Sequence, residues 1–446
     1  MIVLAHGLVQ RSSLPIPEIF FAWAAAIVLV VSFVALAALW PDPRLQSDRW
    51  RPLGGGVGRA LGSRAVQLIC GAIGVAVLAL VIVAGYVGPP EPLDNLAPTF
   101  ILIVFWIGLA FASVLFGDLF AAFSPWRAIG KVLFRRARRP YPERLGRWPA
   151  AAGLLAFTWI ELASGWGEEP ATLVTAALVY TALTLSAMAV YGVDAWHRCG
   201  ETFSVYFNLF ARLSVFERRD GVVGVRPPLG GLPRLGLEAG TVAVLVVMIG
   251  TVTYDGLSQG SLWKDLAAQL NDAITGLGVS SETAPTIVST LGLLLGVTLV
   301  AGFYAAGIAG ARSVGGDHDA DRLRATFAHT LVPIAMVYVA AHYLTFLLLE
   351  GQSIGYLASD PLGKGWDLLG TASSAIDYGL LSQNATWYLQ VGFVVLGHVA
   401  ALMLAHDRAL VLYGHAREAV RSQYWMLGIM VGFTMLALWL LAQAGG

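Results

Sequence analysis

The chain has 446 residues, of which 57% are hydrophobic and only 13% are charged, and its mean hydropathy is +0.70. This composition excludes a soluble globular protein with a polar surface and indicates a protein that crosses the bilayer several times. The formal net charge of zero excludes the concentrated basic surface that nucleic acid binding needs. The two cysteines, Cys70 and Cys199, supply neither a disulfide framework nor a CxxC metal motif.

Ten apolar runs have about the 20 residues that a helix needs to cross a bilayer. They lie at residues 18–40, 65–87, 97–118, 149–167, 171–193, 237–255, 285–309, 326–349, 386–406 and 422–443. The sequence therefore predicts an all-α fold, a polytopic integral membrane helix bundle of about ten transmembrane helices that forms one domain over residues 1–446. We number these predicted spans one to ten in chain order.

The loops between the spans divide the basic residues unequally. Of the 28 Lys and Arg residues, only Arg11, Lys264 and Lys364 fall on one side, and the other 25 fall on the opposite side. Because basic loops remain in the cytoplasm, the side with 25 is predicted to be cytoplasmic. An even number of crossings then places both termini outside.

Four loops are long enough to carry structure of their own. The loop at 127–148 is basic, and its Arg135–Arg139 run is expected to bind anionic lipid head groups. The cytoplasmic loop at 194–236 is expected to contain an interfacial helix. The outer loops at 256–284 and 350–385 are expected to form short interfacial helices, which either roof a cavity or pack passively.

A short pattern occurs twice on the predicted cytoplasmic side. Gly117, Asp118 and Phe120 in FGDLF align with Gly200, Glu201 and Phe203 in CGETF. This spacing indicates either an internal repeat or two amphipathic interfacial segments of similar composition.

Four of the eight histidines lie on two consecutive spans, the eighth and the ninth. Ionisable side chains inside a membrane are costly, so they are expected to face a polar interior or a partner. With a rise of about 1.5 Å per residue, His342 lies at nearly the depth of Glu161 on the fourth span, and His398 lies about 8 Å deeper. These three residues form the predicted central cluster.

The second predicted cluster lies at the inner edge and combines His329, His406 and Asp118. His329 and His342 are thirteen residues apart, which places them about 140° apart around the eighth span. They do not share a helix face, so if His342 faces the bundle centre, His329 points toward a different neighbour or the head-group region, which favours the central cluster over the inner one.

Imidazoles and carboxylates together suggest a site for a divalent metal ion, Zn²⁺, Fe or Mn. Such an ion would turn bound water into a hydroxide nucleophile, with Glu161, Tyr343 and Asp407 as the candidate catalytic side chains. Three alternatives remain open: a single haem held by one histidine from each span, a transporter or assembly factor that binds a metal ion or relays protons, and histidines that only hydrogen-bond across helices.

Four segments spread over most of the chain carry a family resemblance, and they read HGLVQRSSLPIPEIFFAWAAAIVLVVSFVALAALWP, FGDLFAAFSPWRA, HTLVPIAMVYVAAHYLTFLL and LGHVAALMLAHDRAL. Through them the sequence resembles the bacterial integral-membrane fenitrothion hydrolases of the FedB-like type. The resemblance implies a multi-pass protein of the bacterial inner membrane that hydrolyses organophosphorus triesters. Its expected partners are membrane lipid, an apolar small-molecule substrate that partitions from the bilayer, and a second membrane subunit.

Overall fold

The computed structural model describes residues 18–314 and 319–444. Nine helices within these residues are long and apolar enough to cross a bilayer, which confirms the all-α polytopic bundle. They are Glu18–Leu39, Arg64–Val87, Leu96–Phe116, Pro170–Tyr191, Thr241–Gln259, Ala284–Arg312, Ala320–His342, Gln383–Tyr413 and Tyr424–Ala444. The predicted positions of the two termini concern residues 1–17 and 445–446, which lie outside the described residues.

The fourth predicted span is shorter than the other nine. Its helix runs from Trp148 to Leu162, which is 15 residues or about 22 Å, whereas residues 149–167 were predicted. The chain turns at Gly165, which has a positive φ of 80°, before the fifth span begins at Pro170. The fourth span therefore falls short of the roughly 30 Å hydrocarbon thickness.

Two spans are not regular α-helices along their whole length. The third contains a π-helical stretch, Thr99–Gly108, between Leu96–Pro98 and Leu109–Phe116. The eighth consists of Ala320–Phe327, a 3₁₀ turn at Ala328–Thr330, and Leu331–His342. Pro333 has no N–H to donate to the carbonyl of His329, which accounts for the break before this last helix.

The loop after the third span folds back into the bundle as two short helices, Phe120–Phe123 and Pro125–Leu133. At Gly74 of the second span, an added Cβ would overlap with the carbonyl oxygen of Phe123. Gly74 is ten residues from the start of its helix, about 15 Å into the bundle. This first re-entrant hairpin, residues 117–133, therefore reaches about half-way across.

A second re-entrant hairpin occupies residues 193–211 and consists of the helices Val193–Cys199 and Thr202–Ala211. At its tip the backbone N–H of Thr202 donates to the hydroxyl of Tyr180, 3.1 Å away in the middle of the fifth span. All residues of Thr202–Ala211 except Asn208 are buried. The interfacial helix predicted for the 194–236 loop is thus a buried one, because it packs against Leu109–Phe116, Trp148–Leu162 and Phe120–Phe123.

The acid of the repeated Gly-acid-x-Phe pattern makes the same kind of hydrogen bond in both hairpins. Asp118 accepts a hydrogen bond from Ala121 N at 3.1 Å, and Glu201 accepts one from Ser204 N at 2.8 Å, three residues on in each case. The rings of Phe120 and Phe203 both pack on Phe105, with centroids 5.7 and 4.8 Å away. The two hairpins thus meet at one residue of the π-helical stretch.

The side of the bundle that carries the basic loops also holds a small sheet. Strand β1 (Arg51–Pro52) and strand β2 (Phe216–Arg219) both pair antiparallel with β3 (Val222–Val225), in the order β1-β3-β2. Ion pairs tie the sheet to neighbouring loops, including Arg219–Asp48 at 2.6 Å and Arg226–Glu217 at 3.3 Å. Two short helices, Val57–Leu61 and Ala416–Ser422, lie on the same side.

The opposite side is covered by shorter segments. They are Pro92–Asp94, Ser261–Gly276, Leu344–Leu348, Glu350–Ser353 and Ile354–Ser359. The sixth and eighth spans are the most enclosed, each with 78% of its apolar window buried inside the protein. These two spans are therefore the inner helices on which a polar site can be shielded from lipid.

The close approach at Gly74 leads to the first prediction. Gly74→Ala adds a Cβ where the backbone of the first re-entrant hairpin lies, and such overpacking costs about 1–3 kcal/mol of folding stability. We expect a lower midpoint of thermal unfolding in detergent. Gly432→Ala is the matched control, since this glycine of the tenth span has no neighbour within 4 Å of an added Cβ. Equal midpoints for the two variants would contradict the described packing of the hairpin.

Candidate functional site

The fourth and sixth spans begin side by side on the basic side of the bundle. Arg147 N donates to Ala239 O at 2.6 Å, and Arg147 Nη1 donates to Thr241 Oγ1 at 3.3 Å. Gly146 and Gly240 have positive φ values of 42° and 79°, and a Cβ on either would meet the other segment's backbone. The two helices therefore start at the same level and run in the same direction.

Because of this common start, two acidic residues lie at the same height. Glu161 is thirteen residues beyond Trp148, and Asp255 is fourteen residues beyond Thr241. Each carboxylate is therefore about 20 Å from the basic side. Glu161 and Asp255 are close enough to interact electrostatically, because each lies at a similar distance from the start of its helix.

Asp255 is held by two donors from the end of the eighth span. His342 Nε2 lies 2.9 Å from Asp255 Oδ2, and the Tyr343 hydroxyl donates to the same oxygen at 2.7 Å. The helix Leu331–His342 ends at Tyr343, whose φ of −99° and ψ of 14° turn the chain. This turn lets two consecutive side chains reach one carboxylate. Asp255 and Tyr343 are completely buried.

Glu161 lies in a different environment from Asp255. Its side-chain stem is half-buried, but both carboxylate oxygens are enclosed and have no hydrogen-bond partner. Tyr206 of the second re-entrant hairpin is close enough to interact with it electrostatically. Trp106 of the π-helical stretch packs against Tyr343, with ring centroids 5.2 Å apart. Aromatic side chains thus separate the acid pair from lipid.

His398 does not join this group. Its Nδ1 donates to Val394 O at 2.8 Å, and its ring is 6.4 Å from the ring of Tyr338. His398 borders a cavity of about 60 Å³, whereas His342 borders a different cavity of about 20 Å³. The predicted central set of His342, His398 and Glu161 is therefore not assembled. In the structure, Asp255 rather than His398 lies beside His342 and near Glu161.

The inner-edge residues are also held separately. His329 Nδ1 donates to Thr326 O at 3.0 Å within its own helix turn. His406 Nε2 donates to Trp40 O at 2.9 Å. Asp118 accepts from Asn208 Nδ2 at 2.8 Å in the contact between the two re-entrant hairpins. The predicted inner set is replaced by three unrelated contacts.

Asp407 anchors the loop that follows the first span. Its Oδ1 accepts hydrogen bonds from the backbone N–H groups of Arg44 at 2.5 Å and Leu45 at 3.1 Å, and its Oδ2 accepts one from Gln46 Nε2 at 2.7 Å. Trp40 Nε1 adds a fourth bond at 3.2 Å. The carboxylate that we considered catalytic thus uses its lone pairs to hold the chain at 40–46.

These residues do not fit a metal ion. Within residues 18–314 and 319–444, no three His, Cys, Asp or Glu side chains come together in a way that could hold one. A haem between His342 and His398 does not fit either. The cavities beside these histidines measure about 20 and 60 Å³, against roughly 300–1,000 Å³ for typical small-molecule sites.

Asp255 belongs to the candidate site, but the sequence analysis did not predict it. The sixth span was predicted over 237–255, so Asp255 was placed at its outer edge. The helix instead runs from Thr241 to Gln259 and is buried as far as Gly256. The left-handed turn at Gly240 delays the start of the helix and moves Asp255 inside. The sequence does contain a signal for this residue, because an acid at the end of the apolar stretch VVMIGTVTYDG indicates a buried carboxylate.

A large apolar cavity lies next to the acid pair. It measures about 880 Å³ and is bordered by the second to fifth spans and the tips of both re-entrant hairpins. Phe105, Phe157 and Phe203 form part of its wall. Phe157 packs on Trp106 at 5.3 Å, and Trp106 packs on Tyr343. These ring contacts connect the wall of the cavity to Tyr343, one of the donors to Asp255.

Comparison of the chain with protein-family models, with curated proteins and with solved structures finds no match to any of them.

The geometry around Asp255 leads to the second prediction. Tyr343→Phe removes one of the two hydrogen bonds to Asp255 Oδ2, which should cost about 1–2 kcal/mol and lower the thermal unfolding midpoint. Tyr338→Phe is the control, since its hydroxyl makes only a 3.4 Å contact with Phe433 O. An equal fall in the thermal unfolding midpoint of Tyr338→Phe and Tyr343→Phe would show that the hydrogen bond to Asp255 stabilises the protein no more than the weak contact of Tyr338 does.

Proposed function

We propose that this protein is a proton-relaying membrane transporter, in which Glu161 and Asp255 bind the proton with the help of His342 and Tyr343. The observation that carries the proposal is the pair of enclosed carboxylates on the fourth and sixth spans. Two neighbouring carboxylates in apolar surroundings do not both stay ionised, because burial and like charge each penalise the second negative charge. The pair therefore holds a proton that it can release when its surroundings change.

The hydrogen bonds indicate which acid carries the proton. Asp255 Oδ2 accepts two hydrogen bonds, and donors of this kind stabilise the ionised form of a carboxylate. Glu161 receives no hydrogen bond, so nothing compensates a charge there. The proton resides on Glu161, and Asp255 is the anion.

His342 connects the pair to the rest of the bundle. With Asp255 ionised, His342 Nε2 carries the hydrogen that binds it, and Nδ1 is left as an acceptor. Nδ1 lies beside Gly256, which borders the 20 Å³ cavity. A proton arriving in that cavity can therefore be accepted at His342 and be balanced by the Asp255 charge. The family resemblance and the distribution of basic residues support a bacterial inner membrane, with the basic side in the cytoplasm.

The proposal is tested by infrared spectroscopy of the protein in membranes. A protonated, enclosed carboxylic acid has a carbonyl stretching band at higher frequency than an ionised one. We expect this band in the wild-type protein and its loss in Glu161→Gln. Asp255→Asn should shift it, because the neighbouring charge is removed.

The control for this experiment is Glu282→Gln, which changes an exposed acid on the opposite side of the bundle. It should leave the band unchanged. The same band in Glu161→Gln and Glu282→Gln would mean that Glu161 holds no proton, and the proposed function would then fail.

The apolar cavity favours a second candidate function, the hydrolysis of an apolar ester. Its volume of about 880 Å³ suits a triester that enters from the bilayer, in agreement with the resemblance to fenitrothion hydrolases. The Asp255–His342 pair would supply a general base for water. This function ranks second because Trp106 and Phe157 stand between the cavity and His342.

An assay with fenitrothion distinguishes this second function. If the protein hydrolyses it through His342, a chelator should leave turnover unchanged, since no three-ligand metal set is present in the described residues. His342→Gln should lower turnover about 100-fold or more. The exposed His415 provides the control variant His415→Gln, which should retain full turnover. Loss of turnover on chelation would instead support a metal-bound hydroxide.

A further inference from the structure

Two small cavities lie close to Tyr338 inside the bundle. The sixth, eighth, ninth and tenth spans border both cavities, and the seventh span also borders the larger one. The cavity of about 20 Å³ borders His342, and Val394 forms part of its wall. The cavity of about 60 Å³ borders His398 and Thr330. Val394 and His398 are four residues apart on the ninth span, so the cavities are separated by one helical turn, about 6 Å.

His398 is oriented toward the larger cavity. Its Nδ1 binds the carbonyl oxygen of Val394, which can only accept, so Nδ1 carries the hydrogen. Nε2 is then an acceptor in the neutral ring. His398 is completely buried, and its Nε2 atom has no hydrogen-bond partner. A buried acceptor of this kind is costly unless water or a proton reaches it.

The cavities are large enough for water. A water molecule needs roughly 10–15 Å³ of such space, so the cavity beside His342 has room for one molecule and the cavity beside His398 for several. Polar partners are present as well. Thr330 borders the larger cavity together with His398, and its hydroxyl, which donates to Phe327 O, can still accept a hydrogen bond.

Tyr338 borders the smaller cavity and packs against two residues, His398 and Phe433, that border the larger one. Its ring lies 6.4 Å from His398 and 5.7 Å from Phe433, centroid to centroid. Its hydroxyl is 3.4 Å from Phe433 O, which is a long and weak hydrogen bond. Rotation of this side chain would break only this weak hydrogen bond, which makes Tyr338 the candidate gate between the two cavities.

Tyrosines are the titratable groups that face His398 from neighbouring spans. Tyr338 approaches from the eighth span and Tyr304 from the seventh, where its hydroxyl donates to Arg324 O at 2.6 Å. Among the described residues that line the larger cavity, none is an acid, a lysine or an arginine. Thr330 lies on the part of this cavity that is nearer the basic side, and the buried His329 precedes it in the chain.

We propose that these cavities form the basic-side half of a proton path, in which His398 passes protons between the basic side and the His342–Asp255 pair. His398 takes up a proton at Nε2 from water in the larger cavity and returns it from the same nitrogen to water next to Tyr338. The Nδ1–H bond to Val394 stays in place throughout, and no other bond changes. Tyr338 closes the path in the described structure. This inference rests on the proposed function.

The test uses the protein in membrane vesicles and measures the infrared carbonyl band assigned to Glu161. The pH is changed rapidly on one face of the membrane only, and the rate at which the band responds is recorded. In the wild-type protein the band should respond to a change on the face that carries Arg408. His398→Leu should slow this response about tenfold or more, because the acceptor in the larger cavity is lost. The response to a change on the opposite face should stay at the wild-type rate.

Gln390→Leu is the matched control, since Gln390 is a buried polar residue on the same span that donates to Ala341 O and does not border the larger cavity. It should keep the wild-type rate. His398→Gln, which retains a polar side chain, covers the case in which the leucine variant fails to fold, and it too should slow the response. A wild-type rate in both His398 variants would overturn the path, whereas absence of the band in the wild-type protein would overturn the proposed function itself.

Discussion

The burial of Asp255 is the constraint around which the centre of this protein is built. A carboxylate about 20 Å inside a membrane helix is costly unless donors compensate it. The compensation comes from His342 and Tyr343, consecutive residues that reach the same oxygen because the helix Leu331–His342 ends there and the chain turns at Tyr343. This helix end is thus what supplies hydrogen-bond donors to the buried carboxyl group.

The re-entrant hairpins provide the environment of the second acid. The fourth span is short, and the helix Thr202–Ala211 packs beside it and brings Tyr206 toward Glu161. Phe120 and Phe203, one from each hairpin, meet at Phe105 in the π-helical stretch. The next residue, Trp106, contacts Tyr343. One irregular segment therefore touches the apolar cavity with one side chain and the polar site with the next, as π-helical segments at functional sites often do.

The four membrane histidines illustrate why depth alone does not define a site. His342 binds a carboxylate, whereas His329, His398 and His406 each donate to a backbone carbonyl oxygen. A carbonyl fixes which ring nitrogen carries the hydrogen and leaves the other as an acceptor. For His398, which borders a cavity, that acceptor has no hydrogen-bond partner, and this is the basis of its proposed role in proton transfer. His406 instead ties the ninth span to the end of the first, together with Asp407.

The sequence by itself determined the membrane class, the positions of most spans and the burial of Glu161 and His342, because long apolar runs and the helical rise follow from composition and local geometry. It did not determine the partner of either residue. A four-residue error in the start of the sixth span, caused by the turn at Gly240, was enough to place Asp255 outside the bundle. Which helices are neighbours, and which loops fold back between them, depends on contacts between residues far apart in the chain, such as Arg147 with Ala239 and Gly74 with Phe123. Only the tertiary structure decides these contacts, and with them the pairing of the two acids.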